Sequence, residues 1–116
     1  MSMYKECELQ ENENGEIAVL VSHGYGAGWS TWNDERLAYD KRVVELFDKN
    51  KPPINKKQED EIKKKLKEMG YRTVYMGGYE QIEKVWIPKN VQFRIHEYDG
   101  SEHIQWLNEV GLIFFT

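Results

Sequence analysis

The chain has 116 residues, a formal net charge of -4, 40% hydrophobic and 13% aromatic residues. This is the size of one domain, and it is too rich in aromatics for a disordered chain. The negative charge argues against a protein that coats nucleic acid, and no apolar run approaches the roughly 20 residues that span a bilayer as a helix. The single cysteine, Cys7, leaves no intramolecular disulfide, and MSMYKECELQ has no apolar leader run, so a cytoplasmic protein is expected.

Residues 3–9 alternate weakly and lead into the turn-rich ENENGE. Ile17 to Val21 then form a continuous apolar run, the pattern of a strand buried on both faces, so a first hairpin and a central strand are expected. The stretch from His23 to Asn33, HGYGAGWSTWN, carries too many glycines and bulky aromatics for a helix interior and reads as an ordered loop. Leu37, Val44 and Phe47, flanked by Tyr39, Val43 and Leu46, have helical spacing up to Asn50 and the Pro52-Pro53 break. A helix over 34–49 follows. In 56–69 only Ile62, Leu66 and Met69 make an apolar stripe, while Glu59/Lys63, Asp60/Lys64 and Glu61/Lys65 are four-apart ion pairs, so a second, surface helix is expected with Gly70 as its stop. Its six lysines are interleaved with acids and read as a solvated face.

The remainder, 71–116, has β-branched and aromatic runs broken at Gly77-Gly78, Pro88-Lys89-Asn90, Asp99-Gly100 and Asn108, which predicts four strands. Asp99-Gly100 is a strong two-residue hairpin signal. It sets opposite pairs from Tyr98/Ser101 through Glu97/Glu102, His96/His103, Ile95/Ile104 and Arg94/Gln105 to Phe93/Trp106. Alternation then sends Phe93, Ile95, Ile104 and Trp106 to the core, and Arg94, His96, Tyr98, Ser101, His103 and Gln105 to the other face. Glu97 and Glu102 would repel, with solvent or a cation to relieve them. The alternative is a short helix from Ser101. The expected fold is α+β: a mainly antiparallel sheet of about six strands with two helices packed on one face.

Gly24, Gly26 and Gly28 follow a strand and precede a helix, the order of loops that cradle anions with backbone amides. Neither GxGxxG nor a P-loop lysine is present, and in the plainer reading the glycines only let the chain turn while Trp29 and Trp32 fill the core. In the functional reading, Tyr25, Trp29 and Trp32 offer flat faces, Ser30, Thr31 and the amides of Gly26 and Gly28 donate to an anion, and Arg94, His96 and His103 add donors from the hairpin. His23, His96 and His103 lack a further ligand for zinc, so no metal and no cofactor are assigned. Ser22-His23-Gly24 is not a nucleophile elbow, and Glu97, Asp99 and Glu102 crowd a surface turn; no catalytic residue is assigned.

GYGAGWSTWN, GGYEQIEKVWIPKN and FRIHEYDGSE together resemble a family of small proteins encoded by bacteriophages and prophages, over roughly residues 17–107. The resemblance carries no catalytic residue over. It implies an accessory protein that counters host defences, by sequestering a nucleotide signal or by masking a host protein. The expected partner is thus a small anionic, nucleotide-like ligand, or alternatively a host enzyme such as a nuclease, and not a membrane or nucleic acid. Four tryptophans and seven tyrosines exceed what so small a core absorbs, and GLIFFT needs cover on both faces, so a homo-oligomer is expected.

Overall fold

A computed structural model describes residues 7–24, 28–51, 54–72, 74–76 and 81–107, and the backbone of 113–115. Its elements are β1 (Glu16–Ser22), α1 (Lys41–Lys49), α2 (Lys56–Glu68), β2 (Ile82–Pro88), β3 (Phe93–Tyr98), β4 (Ser101–Leu107) and β5 (Ile113–Phe115). The class is α+β and the pairings are antiparallel, but the strands form two sheets, β1-β2 and β3-β4-β5, where one sheet of about six strands was expected.

The run from Ile17 to Val21 is buried on both faces because β1 lies in a middle layer. Ala18 and Leu20 face Val43, Val44, Phe47, Ile62 and Leu66 of the two helices. Ile17, Val19 and Val21 face Ile104, with Phe93, Ile95 and Trp106 of the second sheet packed at the edge of the same cluster. One strand therefore divides two cores, and the helices lie on one side of the β1-β2 ribbon as the pattern predicts. The first hairpin turns over residues 12–16. Asn12 Oδ1 accepts from the N–H groups of Asn14 and Glu16, and Gly15 turns at φ +74. Among the described residues the pairing beyond that turn consists of the Glu11–Ile17 bridge and the Ala18 N–H to Gln10 carbonyl bond, while the Glu8 carbonyl accepts from the Lys41 N–H at the start of α1. Residues 3–6 of the predicted first strand lie outside the described residues.

The helix predicted over 34–49 is two pieces, a 3-10 turn over Glu35–Ala38 and then α1, which begins at Lys41. Asp34 and Asp40 explain the break. Each carboxylate accepts from the amide two residues on, at Arg36 and Arg42, and each then holds that arginine's guanidinium in a two-pronged ion pair. A side chain that caps a new helix start competes with continuation of the old one. Asp40 is nearly fully buried and also accepts from the Tyr71 hydroxyl at 2.8 Å. Burial alone would raise its carboxyl, but the bonds from Arg42 and Tyr71 outweigh that and hold it below the usual carboxylate range. Nearby, burial first and the Asp40 charge second push the Cys7 thiol up to about 11, so it stays protonated near neutral pH.

α2 opens with a reciprocal capping box between Asn55 and Gln58 and ends at Gly70, φ +100, where the Tyr71 N–H bonds the Leu66 carbonyl. Glu59 pairs with Lys63 as predicted, whereas Asp60 pairs with Lys56 in place of Lys64. The segment from Ser101 is a strand, not a helix, and all six hairpin pairs have the predicted register. Asp99 and Gly100 both have positive φ, 49 and 87, as a type I′ turn requires. Of the four strands predicted in 71–116 three take the expected places as β2, β3 and β4; β5 is the fourth, and Gly77-Gly78 and Asn108 lie outside the described residues.

Candidate functional site

The predicted juxtaposition of Glu97 and Glu102 sets a solvent-exposed carboxylate opposite one that the chain's own donors hold. Glu97 stays exposed and accepts from the Gly100 N–H at 2.8 Å. Glu102 is fully buried, and its two oxygens accept from the N–H groups of Ser22 at 3.0 Å, Trp29 at 2.9 Å and Thr31 at 3.0 Å, and from the Thr31 hydroxyl. Backbone amides aimed at one point do form an anion receptor after the strand, as the glycine pattern suggests, but its anion is the chain's own carboxylate. The amides of Trp29 and Thr31, and the Thr31 hydroxyl, are therefore not open to a ligand. This is a correction to the sequence reading.

The two loop tryptophans part company. Trp29 is 1% exposed, donates its indole N–H to the Leu37 carbonyl at 2.9 Å, and packs edge-on against Phe47, so it belongs to the core. Trp32 is 42% exposed and pairs with Tyr75, itself 50% exposed, with ring centres 5.7 Å apart and planes tilted by 33°. Asn33 clamps the pair. Its Nδ2 donates to the carbonyls of Trp29 and Tyr75, and its Oδ1 accepts from the Tyr75 N–H at 2.8 Å. Gly28 makes room for the indole, since a β-carbon there would lie 2.6 Å from Trp32 Cγ and Cδ1. Gly28→Ala is expected to push Trp32 off Tyr75 at a cost of about 1–2 kcal/mol; an unchanged tryptophan emission spectrum and melting temperature would contradict that. Tyr75 escaped the sequence reading because its partner lies far away in the chain and nothing in VYMGG marks it. Tyr25 and Gly26 lie outside the described residues.

Ser30 is buried, and with Thr31 it shares a groove of about 680 Å³ with Arg94. The structure thus brings these three predicted residues together within one chain, although Asp34 and Glu35 line the same groove and make it a poor place for an anion. Arg94 is exposed and donates to Gln105 Oε1 at 2.8 Å, and His96 is exposed opposite His103. His103 turns inward. Its ring lies 5.1 Å from that of His23 and its Nε2 lies 3.1 Å from Ser101 Oγ, which donates to the His23 carbonyl at 2.8 Å. Ser101 is buried with its proton committed to a carbonyl, which is not the state of a nucleophile. Among the described residues buried His23 Nε2 has no hydrogen-bond partner, and the Glu83 carboxylate lies 4.0 Å from it. Among the described residues no three His, Cys, Asp or Glu side chains converge as metal ligands, and no helix is long and apolar enough to cross a membrane. No family model, curated protein or solved structure matches the chain.

Proposed function

We propose that the domain binds a small anionic, nucleotide-like ligand whose base stacks on the Trp32–Tyr75 pair. The observation that carries this reading is the pair itself: two large rings, each about half exposed, fixed by one asparagine before any ligand arrives. A platform ordered in advance saves the ligand the entropy of arranging it, and stacking of one base on such a ring is worth about 1–3 kcal/mol. The resemblance to phage-encoded proteins supplies the setting, an accessory protein that removes a nucleotide signal from a host defence in the host cytoplasm. The reading includes a homo-oligomer in which subunits complete one another's site; a sedimentation mass near 13.8 kDa at all concentrations removes that part.

Thermal-shift measurements with linear and cyclic nucleotides test the proposal. At least one should stabilise the protein, and Trp32→Ala should weaken that ligand about tenfold while leaving the melting temperature of the free protein within a few degrees. A wild type stabilised by none of them sinks it. The second reading is a protein-masking inhibitor of a host enzyme, favoured by Tyr98 and Leu107, 72% and 43% exposed on the second sheet, which would serve as anchors on a flat surface. Stoichiometric capture of one host enzyme, lost in Trp32→Ala or Tyr98→Ala, would support it.

A further inference from the structure

We infer that the hollow between the C-terminal end of α2 and residues 70–72 and 74 is an oxyanion site, and that it receives the phosphate end of the ligand. This rests on the stacking reading above and adds where the charge of the ligand goes. The hollow has about 470 Å³ and is lined by Lys63, Lys67, Gly70, Tyr71, Arg72 and Val74. Of the six described lining residues three are cations and none is an acid, in a chain whose formal net charge is -4. That concentration follows from local geometry. Lys63 and Lys67 stand four apart and so share one face of α2, and the turn at Gly70, φ +100, folds the chain back so that Arg72 meets them.

Two features make the charge available to a ligand. Glu59 takes up Lys63 at 3.2 Å, but among the described residues neither Lys67 nor Arg72 forms an ion pair. The last carbonyls of α2, which would repel an anion, are already turned to internal donors: Lys65 to the Met69 N–H, Lys67 to the Gly70 N–H and Leu66 to the Tyr71 N–H. The Tyr71 hydroxyl is held by Asp40, so the ring, with Val74, contributes an apolar wall beside the cations. A hollow with one apolar wall and convergent cations suits a phosphate ester better than a bare inorganic ion. Tyr75 follows Arg72 by three residues, a reach of about 10 Å at most in extended chain. That is comparable to the span of a nucleotide from its base to its outer phosphates.

Calorimetric titration with adenosine diphosphate, adenosine and pyrophosphate, on the wild type and two variants, separates this inference from the reading beneath it. The exposed positions of Lys67 and Arg72 make Lys67→Ala/Arg72→Ala a variant that should fold as the wild type does, which circular dichroism checks. Wild type should bind the diphosphate and pyrophosphate, both more weakly as salt rises, and the double variant should lose about tenfold or more for each. Trp32→Ala should weaken the diphosphate but leave pyrophosphate unchanged. A double variant that binds the diphosphate as well as wild type, while Trp32→Ala does not, overturns the oxyanion site and leaves the stacking reading standing. Pyrophosphate binding that is lost in the double variant, with Trp32→Ala without effect on either ligand, supports the oxyanion site and overturns the stacking reading. No binding of any of the three to wild type overturns both.

Discussion

Glu102→Ala is expected to destabilise the domain by about 3–5 kcal/mol, since each buried donor left unpaired costs about 1–3 kcal/mol and the Ser22 and Trp29 bonds are fully buried. The carboxylate satisfies the N–H groups of Ser22, Trp29 and Thr31 and the Thr31 hydroxyl, and it is fully buried, so its loss strands four donors at once. The loop should then open toward solvent and carry Trp29 with it. Urea unfolding would show the lower midpoint, and tryptophan emission at zero denaturant would shift to the red. Glu102→Gln keeps one good acceptor but points an NH₂ group at donors, and should fall between the two. An alanine variant with the wild-type midpoint would mean that the amides find other partners, and the account of this site would be wrong.

The second large effect is at Asp40, and it depends on pH. Its carboxyl titrates below the usual range in the folded state, because the bonds from Arg42 and Tyr71 prevail over burial. A group lowered by folding contributes stability that is fully present above its unfolded value, about 3.9, and is lost as pH falls through the folded value. Stability owed to Asp40 should therefore be flat from pH 7 to about 5 and decline below about 4. Asp48 is shifted in the same direction, against its own desolvation, by hydrogen bonds from Lys84 and Gln10, but it is partly exposed and adds less. Asp40→Asn should cost about 2–3 kcal/mol at pH 7, through the weakened cap of α1 and the lost ion pair with Arg42. It should also flatten the acid limb of a plot of unfolding free energy against pH. Parallel acid limbs for variant and wild type would remove Asp40 from this role.

What could be read from the chain alone was what its neighbours in sequence determine. The hairpin from Phe93 to Leu107 came out pair for pair, since a two-residue turn and a strict alternation both act locally and agree. The division into two sheets did not. A run such as Ile17 to Val21 shows that both faces are covered, but burial against a helix and burial against a second sheet leave the same pattern in sequence. The break at Asp40 was hidden for a related reason, because Leu37, Val43 and Val44 keep helical spacing across it while the aspartate side chain starts a new helix. At the glycine loop the chemistry was legible and its occupant was not. Amides that favour an anion can be inferred from glycines after a strand, whereas the carboxylate they hold lies 71 to 80 residues downstream and carries no mark in its own neighbourhood. Trp29 and Trp32 differ by three positions and look alike in sequence, and only the packing of Leu37 and Phe47 decides which is core.

The bond between Glu102 and the glycine loop also orders events in time. A chain leaving the ribosome completes residues 22–31 long before residue 102 exists, and contacts of such separation are the slowest to close. Until β4 arrives, the amides of Trp29 and Thr31 have no carboxylate to gather around. Trp32 then lacks the rigid turn from which Asn33 reaches Tyr75. A nascent or truncated chain without the C-terminal hairpin should thus display neither tryptophan in its final setting, and the aromatic surface becomes a property of the finished molecule alone.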